Sequence, residues 1–355
     1  MTFFKGVVIL FGIFLNVSAD SCAGRCGQGV NSNYNCQCNS ACINFEDCCV
    51  DYSTICLGAT CYGRCGQSAN SAKPCQCNTL CSSYGDCCTD YNALCLNGGG
   101  PVTPVDPLSD VINDIWDSDT NRFTSSEIVL STTGNKLFTN VNEAKFSLPT
   151  FQAFINLLDN YERKIGLAEI LLEYNYNEIE TFLDVVMATE SMILANAFLV
   201  RNGKVGTSAT AFRDALKELW FNLYPRSSSQ NFDDSSGFEH VMVGEIKGTS
   251  ISGFHSWIQL YLQEKAGDLT YTSMVSQSEP NIKAAAFRWF GGTKSKGSFF
   301  LGTSPEFDLA VYTICALSHP NARCNFSLKG NSVSIQTYDI SHKAGSQIGS
   351  AYPAV

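Results

Sequence analysis

The chain is short of positive charge and of imidazoles. Four histidines occur in 355 residues, and 23 lysines and arginines stand against 33 aspartates and glutamates, a formal net charge of −10. Residues 1–106 carry 4 basic and 7 acidic groups, or −3, so the remainder carries −7. No basic patch interrupts this acidity, which excludes a protein that grips nucleic acid tightly through charge alone. After the first 19 residues no apolar run reaches the roughly 20 residues that a membrane-spanning helix needs. No serine stands in a nucleophile-elbow context, which argues against a serine hydrolase. Of 18 cysteines only Cys315 and Cys324 lie beyond Cys95, so the larger part of the chain has at most one disulfide of its own.

What is present begins with a leader. Lys5 supplies a positive end, Gly6 to Leu15 is apolar, and Val17-Ser18-Ala19 offers small residues for cleavage before Asp20. Residues 1–19 therefore read as a secretory signal, and the expectation is a secreted protein. Sixteen cysteines follow in two sets of eight: Cys22, Cys26, Cys36, Cys38, Cys42, Cys48, Cys49 and Cys56, then Cys61, Cys65, Cys75, Cys77, Cys81, Cys87, Cys88 and Cys95. Each member of the second set lies 39 residues after its counterpart (61 − 22 to 95 − 56), so one small module occurs twice. Such short modules cannot bury an adequate apolar core, and disulfides supply the missing stability. Zinc is the competing reading, and Cys36-Gln37-Cys38 fits its ligand spacing poorly.

This pattern resembles the somatomedin B domain in both modules, residues 20–58 and 59–96. The resemblance implies the pairs Cys22–Cys38, Cys26–Cys56, Cys36–Cys49 and Cys42–Cys48, and, 39 residues on, Cys61–Cys77, Cys65–Cys95, Cys75–Cys88 and Cys81–Cys87. It also implies a role in protein–protein contact, so an extracellular protein partner is expected. Tyr52 and Tyr91, with Asp51 and Asp90, are candidate surface contacts, or the tyrosines pack on the knot.

Residues 97–107, with three consecutive glycines and then three prolines, form a linker. Residues 108–355 suffice for one large domain or two subdomains. Its first half reads helical. A helix capped by Thr150 carries Phe151, Phe154, Ile155 and Leu158; a second runs from Glu178 to Arg201; a third carries Phe212, Leu216, Leu219 and Trp220. These stripes read as core. The second half is mixed. Gly297 to Leu301 reads as a strand. Ser304-Pro305-Glu306 starts a helix, with a capping hydroxyl, proline in the first turn and an acid against the dipole. Strands from Cys324 and Ser332 flank a turn at Lys329-Gly330-Asn331. Helices and strands do not alternate regularly, so the fold class is α+β. Cys315 and Cys324 are left to pair, and Asn325-Phe326-Ser327 is a glycosylation acceptor.

Two of the four histidines fall in one stretch. It reads Gly237-Phe-Glu-His240-Val, then Gly253-Phe-His255-Ser-Trp. Lys294-x-x-Gly297-Ser298, Gly302-Thr-Ser-Pro-Glu-Phe307 and Ile348-Gly-Ser-Ala-Tyr-Pro353 follow in order. Two imidazoles are what a catalyst needs to take one proton and give another near neutral pH. The motifs together resemble the EndoU family of uridylate-specific endoribonucleases, across essentially all of residues 108–355.

The resemblance implies roles by position. His240, His255 and Lys294 match the catalytic positions; Lys296 lies near but has the wrong offset. Ser298, Ser350 and Tyr352 match residues at the pyrimidine, with serine at 350 where threonine is frequent. Glu239 and Glu245 match acids that metal-stimulated members need, so manganese is the expected ion. The implied reaction is attack of the RNA 2′-hydroxyl on its own phosphodiester, leaving a 2′,3′-cyclic phosphate and a 5′-hydroxyl. Its substrate is single-stranded RNA containing uridine, and the enzyme is expected to act as a monomer. Family analogy favours His255 as base and His240 as acid. A reading from a different class is an extracellular binding protein that works through its modules, with an inert nuclease fold; intact His240, His255 and Lys294 speak against it.

Overall fold

Leu108, Val111, Ile112 and Ile115 recur at helical spacing, and all four are buried along the first helix of the large domain, α1 (Pro107–Ser118). The structure, a computed structural model, describes residues 107–131, 134–208, 210–340 and 347–355 and parts of the segment 22–95. The expected signal, the linker up to residue 106, and the pairs through Cys26 and Cys65 lie outside the described residues.

In the first module disulfides join Cys22–Cys38, Cys36–Cys49 and Cys42–Cys48. The second has Cys61–Cys77, Cys75–Cys88 and Cys81–Cys87. These are the partners that the resemblance implies. The repeat extends to hydrogen bonds. Buried Gln37 accepts from the Asn31 amide at 2.9 Å and donates to its carbonyl at 3.0 Å; Gln76 does the same with Asn70, at 2.8 and 2.9 Å. Tyr52 and Tyr91 are buried against the cysteines, so packing, not surface contact, is their role here.

The large domain joins a helical layer to two sheets, which is the α+β class. A small hairpin, β1 (Ile128–Leu130) and β2 (Phe138–Val141), is followed by α2 (Pro149–Asn156). Thr150 is not its cap: Leu148 holds that place and Pro149 opens the first turn, so Thr150 is already helical. The expected single helix to Arg201 is two, α3 (Glu173–Met187) and α4 (Glu190–Arg201), bent by 86°. Thr189 caps α4, its hydroxyl accepting from the Met192 amide at 3.5 Å. The bend lets both helices bury apolar faces in one core. α5 (Ala211–Leu216) widens into a π-helical turn, Lys217–Phe221.

The five-stranded sheet has the order β3 (Glu245–Lys247), β4 (Ser250–Ser252), β7 (Gly292–Phe300), β6 (Ile282–Trp289), β5 (Leu269–Ser278). α6 (Trp257–Ala266) leads into β5. α7 (Pro305–Ser318) starts as expected, the Ser304 hydroxyl accepting from the Phe307 amide at 3.2 Å. The three-stranded sheet is β10 (Ile348–Pro353), β9 (Asn331–Asp339), β8 (Arg323–Leu328). Disulfide Cys315–Cys324 ties α7 to β8, and Asn325 is exposed on that strand. β10 packs against β7 and against the turn that carries His240, so the two sheets flank one cleft. Among the described residues no single helix is long and apolar enough to cross a membrane.

Candidate active site

The cleft, about 640 Å³, is lined by His240, His255, Lys294, Ser298, Ser350 and Tyr352, so all six expected catalytic and base-binding positions meet there. Lys296 lines it too. Lys294, Lys296 and Ser298 all come from β7, whose pairing with β6 shifts register between Lys294 and Gly297.

Backbone fixes the spacing of the histidines. His240 stands on a π-helical turn, Glu239–Val243. The amide of Phe254 donates to the His240 carbonyl at 2.9 Å, and that of His255 to the Val241 carbonyl at 2.6 Å. Gly253 permits this approach: a Cβ there would lie 1.7 Å from the His240 carbonyl oxygen, and its φ is +62°. The Gly253 carbonyl in turn accepts from Lys294 Nζ at 2.6 Å. The glycine before His255 thus ties all three groups together.

The two rings have different partners. His255 Nδ1 lies 2.8 Å from the Ser298 main-chain carbonyl, which can only accept. Nδ1 therefore carries the proton, and Nε2 keeps its lone pair. Burial, and then Lys294, hold His255 well below the usual histidine range, with the carbonyl opposing. The ring is uncharged at neutral pH. Tyr352 stacks on it, centroids 4.7 Å apart and planes at 17°. One face of Tyr352 is thereby occupied, so a base has only the other face or the edge.

His240 Nδ1 bonds instead to the carboxylate of Glu245. That oxygen also accepts from Arg226 Nε at 3.2 Å and Nη2 at 3.0 Å, while Arg226 Nη1 donates to the Gly349 carbonyl at 2.8 Å. Asp234 accepts from the Arg226 amide at 2.7 Å and holds that segment in place. Arg226 and Asp234 were not legible as functional from sequence. No motif surrounds them, and only the folded chain brings them behind His240.

Lys294 is pulled down to about 8 by burial, with Glu245 opposing. It stays mostly protonated near pH 7 and presents its charge in the cleft that both histidines line.

Glu239 and Glu245 do not fit a direct manganese site. Both are fully buried, and among the described residues neither Glu239 oxygen nor Glu245 Oε1 has a hydrogen-bond partner, which taken alone would suit an ion. But Arg226 already neutralises Glu245. Burial, with Glu245 and Glu169 nearby, holds the Glu239 carboxyl well above the usual carboxylate range, and burial raises Glu245 too, with Arg226 opposing. A hard divalent cation takes six or more oxygens. Among the described residues the tight clusters of potential ligand atoms are cysteine trios in the two modules, and those cysteines are in disulfides.

Both parts of the chain resemble known proteins. The family model for endoribonuclease XendoU matches residues 107–353, and that for the somatomedin B domain matches 20–59 and 59–98. A uridylate-specific endoribonuclease of Paralichthys olivaceus is 46% identical, over 93% of this chain and 92% of that protein. One of Mus musculus is 36% identical, over 90% of this chain and 73% of its own length. The solved structure of XendoU, described as a splicing-independent snoRNA-processing endoribonuclease, is 35% identical and superposes with a TM-score of 0.62, covering 72% of this chain and 98% of that one. The chain belongs to the XendoU endoribonuclease family and carries two somatomedin B domains ahead of its nuclease domain.

Proposed function

We propose that this chain is a secreted endoribonuclease that cleaves single-stranded RNA at uridines by attack of the 2′-hydroxyl. The observation that carries this reading is the opposite setting of two imidazoles on one cleft that an ammonium group also lines. His255, uncharged with a free Nε2, takes the proton of the 2′-hydroxyl. The oxygen attacks phosphorus, and the P–O5′ bond breaks. His240, whose cationic form is favoured by the Glu245 carboxylate on Nδ1, gives its Nε2 proton to the leaving 5′-oxygen. Lys294 offsets the charge that gathers on the non-bridging oxygens. The products are a 2′,3′-cyclic phosphate and a 5′-hydroxyl. DNA lacks the nucleophile and is not cut.

Ser298 and Ser350 supply hydroxyls for the uracil edge, and Tyr352 braces His255 while bordering the base. Manganese stimulation, expected for the family, enters this scheme without a ligand from Glu239 or Glu245; activity in excess chelator measures it. Residues 108–355 are proposed to act without the modules, which are free to bind an extracellular partner, and the enzyme is proposed to be a monomer. Asn325, exposed beside exposed Ser327, is a proposed glycan site. The deciding experiment incubates purified full-length protein with uridine-containing RNA and identifies the ends. Linear 3′-phosphate formed with no cyclic precursor, or uncut RNA, refutes the mechanism.

A further inference from the structure

We infer that Arg323 forms a second phosphate subsite, which holds the RNA backbone one nucleotide away from the scissile bond. This rests on the endoribonuclease reading above. Arg323 lines the same cleft as the histidines. In the three-stranded sheet it stands directly opposite Gln336, and Gln336 stands directly opposite Tyr352. Residues directly opposite on antiparallel strands project to one face. Tyr352, Gln336 and Arg323 therefore form a transverse row on the cleft face, and two strand spacings put Arg323 about 10 Å from Tyr352. Tyr352 stacks on His255 at one end of this row, where the uridine must sit to be cut. The scissile phosphate is served there by Lys294. A cation at the other end faces a different phosphate.

The remaining groups leave Arg323 available. Gln336 Nε2 is turned back onto the carbonyls of Ala322 at 3.3 Å and Thr337 at 3.2 Å, so the amide acts as a spacer. Lys296, the other cation outside the catalytic group, bonds to the main-chain oxygen of Val355. Arg323 is exposed, and among the described residues its guanidinium forms no ion pair or hydrogen bond. An uncommitted guanidinium in the substrate cleft of a chain with net charge −10 is matched to an anion, and a planar fork suits phosphate oxygens. The subsite offers an acidic enzyme a local hold on a polyanion without a basic surface.

The test uses the full chain and an RNA oligonucleotide with a single 2′-deoxyuridine at the target position, which cannot be cleaved. Binding is followed by anisotropy across a salt series. Three probes carry flanking nucleotides on the 5′ side only, on the 3′ side only, or on both. For the wild type one flank should tighten binding, and that arm identifies which phosphate Arg323 meets. Arg323→Ala should remove roughly two- to fivefold of affinity at low salt, the worth of an exposed charge pair. It should also lower the slope of log affinity against log salt by about 0.7, one single-strand phosphate. Arg323→Gln should do the same with less change of volume, and Arg323→Lys should keep the slope. Thermal melting verifies that each variant is folded. Equal slopes for wild type and both uncharged variants, or no binding of any probe by the wild type, overturn the subsite. Cleavage is read separately on the all-ribose strand. Failure there sinks the endoribonuclease reading, while the salt slopes still report on Arg323.

Discussion

His240 rests on a carboxylate backed by a guanidinium, whereas His255 rests on a neutral carbonyl beside an ammonium group. The residues differ by 15 in number and share a cleft, yet one surrounding favours a bound proton and the other repels it. In the proposed mechanism, identity of side chain therefore does not set the role. The partner of Nδ1 does, because it fixes both the tautomer and the sign of the local field. On the proposed mechanism, an acid–base pair is made from two copies of one residue because the second neighbours differ.

The largest break removes either ring. His240→Ala and His255→Ala should each lower kcat by about 10²–10⁴-fold on RNA. The comparison is sharpened by a substrate whose leaving group needs no proton, such as uridine 3′-(p-nitrophenyl phosphate). His240→Ala should recover most of its activity on it and His255→Ala should not. Equal recovery by both would show that the assigned roles are wrong.

Lys294 comes next. Lys294→Ala should cost about 10²–10³-fold, the usual worth of a group that stabilises developing negative charge. Lysine carries its charge below its pKa, so its contribution is lost as pH rises through about 8. The wild-type rate should fall above that pH. Lys294→Arg stays charged there; its rate at pH 7 should be reduced, but its alkaline fall should move to higher pH. A fall that stays at about 8 would assign it to another group.

Glu245→Gln breaks the contrast itself. It keeps the shape but removes the charge on Nδ1 of His240, and a hydrogen bond to a charged group is worth about 1.5–3 kcal/mol, or roughly 10–150-fold in rate. Arg226 is left buried without its counter-ion, so a lower Tm is expected as well. The rate loss should shrink on the p-nitrophenyl substrate while the Tm loss remains. A rate loss equal on both substrates would mean that Glu245 supports the fold and not the acid.

How much of this was legible in the chain depends on whether the signal was local. Ser304-Pro305 announced α7, and the strand read from Gly297 to Leu301 is the second half of β7. The Gly-Phe-His stretch marked the site. The β5–β6 hairpin was missed because β5 is an exposed edge strand with little apolar alternation and β6 is rich in alanine, a weak strand former. The break at Ala188–Thr189 was missed because apolar spacing continues on both sides, and the shape of the core, not the pattern, demands the bend. Arg226 lies 14 residues before His240 with no motif around it (240 − 226), and it acquires meaning only when the chain folds back to Glu245 and Gly349.

The smallest effect concerns base choice, and the structure divides Ser298 in two. Its main-chain carbonyl orients His255, while its hydroxyl belongs to a residue that lines the cleft. Ser298→Ala removes the second and keeps the first, so a general loss of rate is not expected from it. If the hydroxyl reads the uracil edge, the substitution should narrow the preference for uridine over cytidine by about 2–12-fold, the range for one hydrogen bond. Tyr352→Ala should act differently. It strips the ring that braces His255 and borders the base, both shared by the two pyrimidines, so uridine and cytidine RNAs should slow together. Rates on two short RNAs that differ only in that pyrimidine decide the matter. Equal slowing of both by Ser298→Ala would leave the hydroxyl without a reading role, and a selective effect of Tyr352→Ala would move that role to the tyrosine.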